Sequence, residues 1–252
     1  MALKLAEAQC FTAGLFNLSQ GTSVMPHKTC LIIGASRGLG LALAEEYCAR
    51  GYRVIATARG ECPQLENLKV CYPERLTLER VDITDLASVR ALQARLAATR
   101  LNTLFINAGI CKANELNTLQ VDEQDFVDML LTNALSPMRA LELLHANVEP
   151  DGVVAVMSSE LGSVAANRGV WELYSASKAA LNMLMKAFYA RHQEGSLAYL
   201  LVAPGWVRTQ MGGPNALLEI SESIPLVVQT VESHAGKPGL TFTDRLGATL
   251  PW

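Results

Sequence analysis

Short apolar runs alternate with longer amphipathic stretches along most of the chain. Apolar residues recur with helical spacing at 39–50, 86–96, 123–147 and 174–192. The segment 60–75, which contains two prolines, shows neither pattern and is predicted to be irregular. Five runs have the length and composition of buried strands: 29–33, 52–58, 76–81, 101–106 and 152–157. Strands alternating with helices predict an α/β fold, a single doubly wound parallel sheet with helices on both faces.

A glycine-rich turn with the spacing G-x-x-x-G-x-G follows the first predicted strand. A strand, a turn and a helix in this order present backbone N–H groups and the positive end of a helix to a pyrophosphate. The alternative is a loop that only turns the chain, because the spacing differs from the familiar G-x-G-x-x-G fingerprint. The apolar strand before it and the helix after it favour nucleotide binding. The candidate contacts are Gly34, Ser36, Arg37, Gly38, Leu39 and Gly40.

The second predicted strand ends in Ala58-Arg59, where such sheets meet the adenosine ribose. An acidic residue there suits the 2′-hydroxyl of NAD, and an arginine suits the 2′-phosphate of NADP. The acid is missing, and Arg37 can approach the same ribose from the glycine turn. Two arginines would clamp a phosphate through charge-assisted hydrogen bonds, so the sequence predicts NADP, with NAD as the alternative. A solvated Arg37, or an Arg59 that stacks on adenine, are the competing interpretations.

Small or polar residues also follow the later strands. Asp82 is placed to meet the adenine edge or to serve as a turn residue. Asn107-Ala108-Gly109 would let the backbone approach a cofactor, with the asparagine bracing adjacent strands. Ser158-Ser159 lie at the carboxyl edge of the sheet, where open α/β sheets bind ligands. In the helix at 123–147, Pro137 is expected to free backbone carbonyls near Asn133.

Tyr174 and Lys178 stand four residues apart at the start of the last predicted helix. This spacing puts both side chains on one face. An isolated tyrosine titrates at about pH 10, and a neighbouring cation lowers that pKa. The pair therefore predicts general acid/base chemistry. A packed ring beside a solvated amine is the alternative interpretation.

Six motifs in this order resemble those of the short-chain dehydrogenase/reductase family, over about residues 28 to 252. Residues 205–213 and 244–252 further resemble its C-factor and sniffer-type carbonyl reductase branch. The resemblance implies a Rossmann-like three-layer sandwich. The motifs are Gly34-x-x-x-Gly38-x-Gly40, Asn107-Ala108-Gly109, Asn133, Ser159-x-x-Gly162, Tyr174-x-x-x-Lys178 and the run from Pro204 to Thr209.

Residue roles follow from this resemblance. It implies Tyr174 as acid/base, Ser159 as hydrogen-bond donor to the substrate oxygen, and Lys178 as partner of both Tyr174 and the nicotinamide ribose. Asn133 would hold a water of the proton relay. The Ser-x-x-Gly pattern selects Ser159 over Ser158. The remaining implied cofactor contacts are Arg59, Asp82, Asn107, Ala108, Gly109, Pro204, Gly205, Val207 and Thr209.

The resemblance implies NADP-dependent oxidoreduction of a carbonyl or alcohol substrate. The alternative is a dinucleotide-binding regulatory or signalling protein of the same fold with little turnover. An intact set of proton-relay residues argues against it, because a pure binder would not need them. The segment 213–233 sits where such folds carry a mobile substrate lid, and its apolar residues favour an apolar substrate.

Composition limits the partners. With 21 Lys plus Arg against 24 Asp plus Glu and no basic run, neither nucleic acid nor an anionic membrane is expected. Six scattered cysteines lack metal-ligand spacing, so we expect no metal site and a reducing, cytoplasmic location. Apolar residues late in the helix at 174–192 suit core packing or a subunit interface, and a homodimer or homotetramer is expected.

The first 27 residues contain none of these motifs. Their interrupted apolar pattern and single lysine near the start make a secretory signal improbable. We therefore predict an N-terminal extension over 1–27 and one dinucleotide-binding domain over 28–252.

Overall fold

A computed structural model describes residues 27–252. Its sheet is parallel throughout, with the strand order β3-β2-β1-β4-β5-β6-β7. The order reverses direction at β1, so the crevice between β1 and β4 is the topological switch point. This confirms the predicted fold class. The strands are β1 Thr29–Ile33, β2 Arg53–Ala58, β3 Leu76–Arg80, β4 Leu101–Ile106, β5 Val148–Met157, β6 Ala198–Ala203 and β7 Gly239–Asp244.

Helices cover both faces of the sheet. Side chains alternate along β1, so Cys30 and Ile32 face one helical layer while Leu31 and Ile33 face the other. Helices α1, α2 and α7 cover the first face, and α3, α5 and α6 cover the second. Burial on both faces explains why the central strands are almost entirely apolar. The helices are α1 Gly38–Ala49, α2 Pro63–Cys71, α3 Leu86–Arg95, α4 Glu123–Leu130, α5 Ser136–Leu144, α6 Glu172–Ala190 and α7 Ile220–Ser233.

Helix α2 corrects the prediction that residues 60–75 are irregular. Pro63 occupies the first turn of α2, where a missing N–H costs nothing. Only Leu65 and Leu68 of this helix are buried, so its apolar stripe is too short to show in the sequence.

The long helix predicted at 123–147 is interrupted near its middle. A π-helical turn at Leu131–Leu135 separates α4 from α5, and a 3₁₀ turn at His145–Asn147 follows. Pro137 lies in the first turn of α5 and has no N–H for the carbonyl of Asn133, four residues earlier. The expected distortion around Asn133 is therefore present, as a π turn rather than a simple kink.

Helix α7 corrects the interpretation of 213–233 as one mobile lid. Ile224, Val227 and Val231 are fully or almost fully buried, and they pack with α1 against the sheet. The apolar residues of α7 therefore form core and say nothing about the substrate. The predicted extension at 1–27 lies outside the described residues except for His27. None of the helices formed by residues 27–252 combines the length and hydrophobicity that a bilayer span would need.

Candidate active site

The glycine turn lies between β1 and α1 at the carboxyl edge of the sheet. A Cβ on Gly34 would stand 2.7 Å from the Cα of Ala108, and one on Gly40 would stand 2.0 Å from the Gly34 carbonyl oxygen. Gly34 and Gly38 also have positive φ angles of 90° and 54°. These glycines bring the turn against the end of β4, which other residues would prevent.

The N-terminus of α1 suits a pyrophosphate. Arg37 precedes the helix without capping it through its side chain, and the first turn carries no acidic residue. The positive helix end is therefore uncompensated by the helix itself. Thr209 lies across from it, since a Cβ on Gly38 would be 3.6 Å from the Thr209 methyl group. The backbone geometry of this turn fits a dinucleotide.

Asn107 braces the crevice as the sequence predicted. Its Nδ2 donates to the carbonyl of Gly34 at 2.7 Å, which joins the end of β4 to the glycine turn. The backbone N–H groups of Asn107 and Ala108 both donate to the carbonyl of Ile33 at 2.9 Å. Gly109 follows, and a Cβ there would be 3.3 Å from the Oδ1 of Asn133.

The carboxyl end of β6 and the loop after it close the other side of the crevice. Gly205 has a φ of 82°, and its imagined Cβ would be 2.7 Å from a methyl group of Leu218. The carbonyl of Pro204 accepts a 2.7 Å hydrogen bond from Ser223 of α7. Val207 is buried and forms a bridge with Leu218. Rigid backbone therefore carries Val207 and Thr209 to the crevice.

At the end of β2 the arrangement differs from the predicted pair of converging arginines. Arg37 donates to the Oε1 of Gln210 at 2.6 Å, so its guanidinium reaches the loop after β6 rather than Arg59. Arg59 and Asp82 line a common cavity. Burial works against ionisation of Asp82, but hydrogen bonds from Thr84 and the charge of Arg59 lower its pKa. Asp82 is thus both a turn residue and a neighbour of the predicted adenosine site.

Tyr174 and Lys178 are brought together on the first turns of α6. Tyr174 is 9 % exposed and Lys178 is 3 % exposed. The Nζ of Lys178 lies 5.8 Å from the centre of the Tyr174 ring and donates to the carbonyl of Met157 at 2.9 Å. This hydrogen bond joins the Lys178 side chain to the end of β5.

The expectation that Lys178 lowers the pKa of Tyr174 is not what the structure shows. Burial raises the pKa of the Tyr174 phenol, Cys111 adds to the increase, and the hydrogen bond with Ser159 opposes it. Burial also lowers the pKa of Lys178 to about 8. Burial is the largest cause of the pKa shift of both groups.

The two serines after β5 have different environments. Ser158 is buried, and its hydroxyl donates to Asn182 at 2.7 Å. Ser159 is half-buried, accepts from the N–H of Leu161 at 3.2 Å and hydrogen-bonds Tyr174. The structure therefore places Ser159, and not Ser158, beside the tyrosine.

Asn133 lies in the π turn and is fully buried. Its Oδ1 accepts from the N–H of Ile110 at 2.8 Å, and its Nδ2 donates to the carbonyl of Ile110 at 2.8 Å. The same amide also donates to Ser177 at 3.0 Å. The side chain thus fastens the loop after β4 to α6.

Comparison with known proteins decides the family. The family model for short chain dehydrogenases matches residues 28–217. The chain belongs to the short-chain dehydrogenase/reductase family. It is an oxidoreductase of that family.

Solved structures of this short-chain dehydrogenase/reductase fold extend the comparison. A family member from Burkholderia multivorans, crystallised with bound NADP, is 46% identical, with a TM-score of 0.88 over 90% of this chain and 100% of that chain. A carbonyl reductase from Pseudomonas aeruginosa PAO1 in complex with NADP is 37% identical, with a TM-score of 0.83 over 90% and 100%. The carbonyl reductase Sniffer of D. melanogaster is 26% identical, with a TM-score of 0.80 over 90% and 100%. The resemblance stated from the motifs is confirmed.

Sequence patterns did not predict an apolar wall beside Tyr174 in this short-chain dehydrogenase/reductase. Met129 and Leu173 pack there with Tyr174, and partly buried residues complete the wall. Trp171 contacts the Tyr174 ring edge to face at 5.8 Å and has a left-handed backbone, with φ 49°. Met129 and Tyr174 lie 45 positions apart along the chain and meet through the packing of α4 against α6. The partly buried residues are Ile110, Cys111, Val121, Phe126, Leu161 and Trp171.

Metal ligands are not assembled in the described part of the chain. No three His, Cys, Asp or Glu side chains within residues 27–252 come together in a way that could hold an ion. Among residues 27–252, Cys30, Cys48, Cys62 and Cys111 form no disulfide.

Proposed function

We propose that this enzyme is an NADPH-dependent reductase of apolar carbonyl compounds, with Tyr174 as the proton donor. The observation that carries the proposal is the geometry at the carboxyl edge of the sheet, where the buried Tyr174 hydrogen-bonds Ser159 and its ring centre lies 5.8 Å from the Nζ of Lys178. NADP-bound relatives at 46% and 37% identity support the cofactor assignment.

The residues that would hold the dinucleotide follow from the backbone geometry. The glycine turn and the N-terminus of α1 would hold the pyrophosphate, and Asp82 with Arg59 would hold the adenosine. Asn107, Ala108 and Gly109 line the crevice, and Val207 and Thr209 close its other side. When bound, the nicotinamide supplies the hydride that reduces the carbonyl carbon.

The proton-transfer residues act on the carbonyl oxygen. Ser159 donates a hydrogen bond to this oxygen and keeps it in line with the Tyr174 hydroxyl. Tyr174 gives up its proton as negative charge develops on the oxygen. The Lys178 ammonium stabilises the phenolate that remains. The carbonyl of Asn133 holds a water through which the proton is replaced from solvent.

The apolar wall around Trp171 and Phe126 supports an apolar substrate. Burial of apolar substrate surface against these residues stabilises binding by about 25 cal/mol per Å² of apolar area removed from water. A charged substrate would lose its hydration there without compensation. Apolar aldehydes and ketones meet both conditions.

The direct test is NADPH oxidation, followed at 340 nm by absorbance, with a panel of apolar aldehydes, ketones and quinones of graded size. We expect turnover that rises with apolar surface area and falls when a carboxylate is added to the same skeleton. Absence of turnover with every carbonyl compound, in a protein that still binds NADPH, would favour the regulatory alternative.

The pH dependence of the same assay tests Lys178. Because burial lowers the pKa of Lys178 to about 8, the ammonium is present below pH 8 and is lost above it. We expect kcat/KM for NADPH to be level near neutrality and to fall about tenfold per pH unit well above pH 8. Lys178→Met should remove this fall of kcat/KM above pH 8, whereas Lys186→Met, on the same helix, should keep it. A native profile that stays flat to pH 9.5 would contradict the role of Lys178.

Exposed apolar side chains support the expected homo-oligomer. Val127 is 51% exposed and Met183 is 67% exposed, and they lie on α4 and α6, which pack against each other. We propose that this surface joins copies of the chain in a homodimer or homotetramer. A monomeric mass in light scattering would contradict it.

A further inference from the structure

The face of α6 that carries Tyr174 and Lys178 continues for one more turn to Asn182. Positions four apart share one face of a helix, so the three side chains form a row along α6. Asn182 is 3 % exposed and belongs to none of the motifs that indicated the enzyme family. Its hydrogen bonds show which part of the site it holds in place.

Asn182 bonds to both sides of the segment that carries Ser159. Its Oδ1 accepts from the hydroxyl of Ser158 at 2.7 Å, and its Nδ2 donates to the carbonyl of Gly162 at 3.1 Å. A backbone carbonyl can only accept, so the amide nitrogen has to face Gly162 and the amide oxygen has to face Ser158. One buried side chain therefore fixes the residue before Ser159 and the third residue after it.

The turn after Ser159 lies directly against α6. A Cβ on Gly162 would stand 3.0 Å from the Nδ2 of Asn182 and 3.1 Å from the Cβ of Lys178. A larger residue at this position would push the turn away from the helix. The glycine of the Ser159-x-x-Gly162 pattern thus allows the close approach that the bond from Asn182 requires.

The same turn orients the hydroxyl of Ser159. Ser159 precedes a 3₁₀ turn over Glu160–Gly162, and its Oγ accepts from the N–H of Leu161 at 3.2 Å. The N–H of Gly162 donates to the carbonyl of Ser159 at 2.9 Å. With the N–H of Leu161 on one side of the Oγ, the hydroxyl proton is left to be donated elsewhere. A shift of the turn would therefore move the hydroxyl away from Tyr174.

We propose that Asn182 is a positioning residue, which clamps Ser158 and Gly162 and thereby holds the Ser159 hydroxyl beside Tyr174. The proposal rests on the proposed function, because it takes Ser159 as the donor to the substrate oxygen. Asn182 acts through Ser159 and does not contact the reacting atoms. Its loss should misplace a catalytic group without removing one, and a displacement of about 1 Å can lower a rate about a hundredfold.

A double-mutant cycle in kcat tests whether Asn182 acts through Ser159. Asn182→Leu has a similar shape and removes both hydrogen bonds, so we expect it to lower kcat for carbonyl reduction by at least about tenfold. The Kd for NADPH should stay within about twofold. In the Ser159→Ala background, the same substitution should change kcat by less than about twofold, because the hydroxyl that it misplaces is already absent. Native kcat in Asn182→Leu, or an equal fall in both backgrounds, would overturn the proposal.

Asn147→Leu is the matched control for the loss of a buried amide. Asn147 donates to two backbone carbonyls, those of Leu96 at 2.8 Å and Thr99 at 3.1 Å. It lies just before the first residue of β5, at the opposite edge of the sheet from the site. Asn147→Leu should lower the melting temperature and keep native kcat. If it lowers kcat as much as Asn182→Leu does, the loss in both variants reflects reduced stability, and the positioning role of Asn182 is wrong.

Amide hydrogen exchange tests the clamp without turnover. A peptide over residues 158–163 should exchange faster in Asn182→Leu than in the native protein, because the turn that protects its N–H groups is no longer held to α6. Asn147→Leu should leave this peptide unchanged. Unchanged exchange in Asn182→Leu would also overturn the proposal, even in a protein that reduces no carbonyl compound.

The outcomes distinguish this proposal from the proposed function. A native protein that binds NADPH and reduces no carbonyl compound contradicts the proposed function, and the exchange of the turn still decides whether Asn182 holds it. Native kcat in Ser159→Ala would refute the role of Ser159 and the positioning role with it. If Asn182→Leu does not fold, Ser158→Ala removes one of the two hydrogen bonds and should change kcat and exchange in the same directions.

Discussion

Tyr174→Phe should lower kcat for carbonyl reduction by about two to four orders of magnitude. The phenylalanine ring keeps the packing against Trp171 and Leu173 and removes only the hydroxyl. The substrate oxygen then loses its proton donor, while the glycine turn and the end of β2 that would bind the dinucleotide are untouched. Stopped-flow or steady-state NADPH oxidation measures kcat, and quenching of intrinsic fluorescence measures NADPH affinity, which should stay within about twofold.

A matched variant on the same helix separates chemistry from packing. Tyr189 packs against Tyr199 at 5.8 Å on the far end of α6, so Tyr189→Phe removes a hydroxyl without touching the site and should keep native turnover. If Tyr174→Phe also keeps near-native turnover, Tyr174 has no role in proton transfer. The raised pKa of its phenol would then be a consequence of burial that has no role in catalysis.

Local sequence patterns predicted β1 to β5, because continuous apolar runs mark strands that are buried on both faces. The strands β6 at Ala198–Ala203 and β7 at Gly239–Asp244 were not predicted. β4, at Leu101–Ile106, begins and ends where its apolar run does. Helix α2 was not predicted because its two buried leucines are too few to show a helical period. The π turn at Leu131–Leu135 was only partly foreseeable, since Pro137 shows where a helix loses a donor and not how the backbone absorbs the loss.

Site residues were predictable where one short segment carries them. The spacing of Tyr174 and Lys178 fixes their common face, and the glycine turn is continuous in sequence. The partner of Arg37 was not predictable, because Gln210 lies 173 residues away. The pKa of Tyr174 depends on burial by Met129, Leu173 and their neighbours, which sequence spacing does not reveal. A cation four residues away therefore predicted the wrong direction of shift.

Cofactor choice at the end of β2 gives the second large effect. We expect the native enzyme to prefer NADPH, and Ala58→Asp with Arg59→Leu to reverse that preference by a factor of roughly 100 or more. Each charge-assisted hydrogen bond to a phosphate is worth about 1.5–3 kcal/mol, and about 1.4 kcal/mol is a factor of ten. The introduced carboxylate would also accept hydrogen bonds from the ribose hydroxyls of NADH and repel the phosphate of NADPH.

The β2–β3 register strengthens this expectation. Ala58 pairs with Arg80, so the introduced carboxylate would stand beside the Arg80 guanidinium and neutralise it. The double variant therefore removes Arg59 directly and occupies Arg80 through a new ion pair. The measurement is kcat/KM with each cofactor, and Arg53→Leu, at the other end of the same strand, controls for charge loss. A native preference for NADH, or a double variant that still prefers NADPH, would contradict the assignment of Arg59 to the 2′-phosphate.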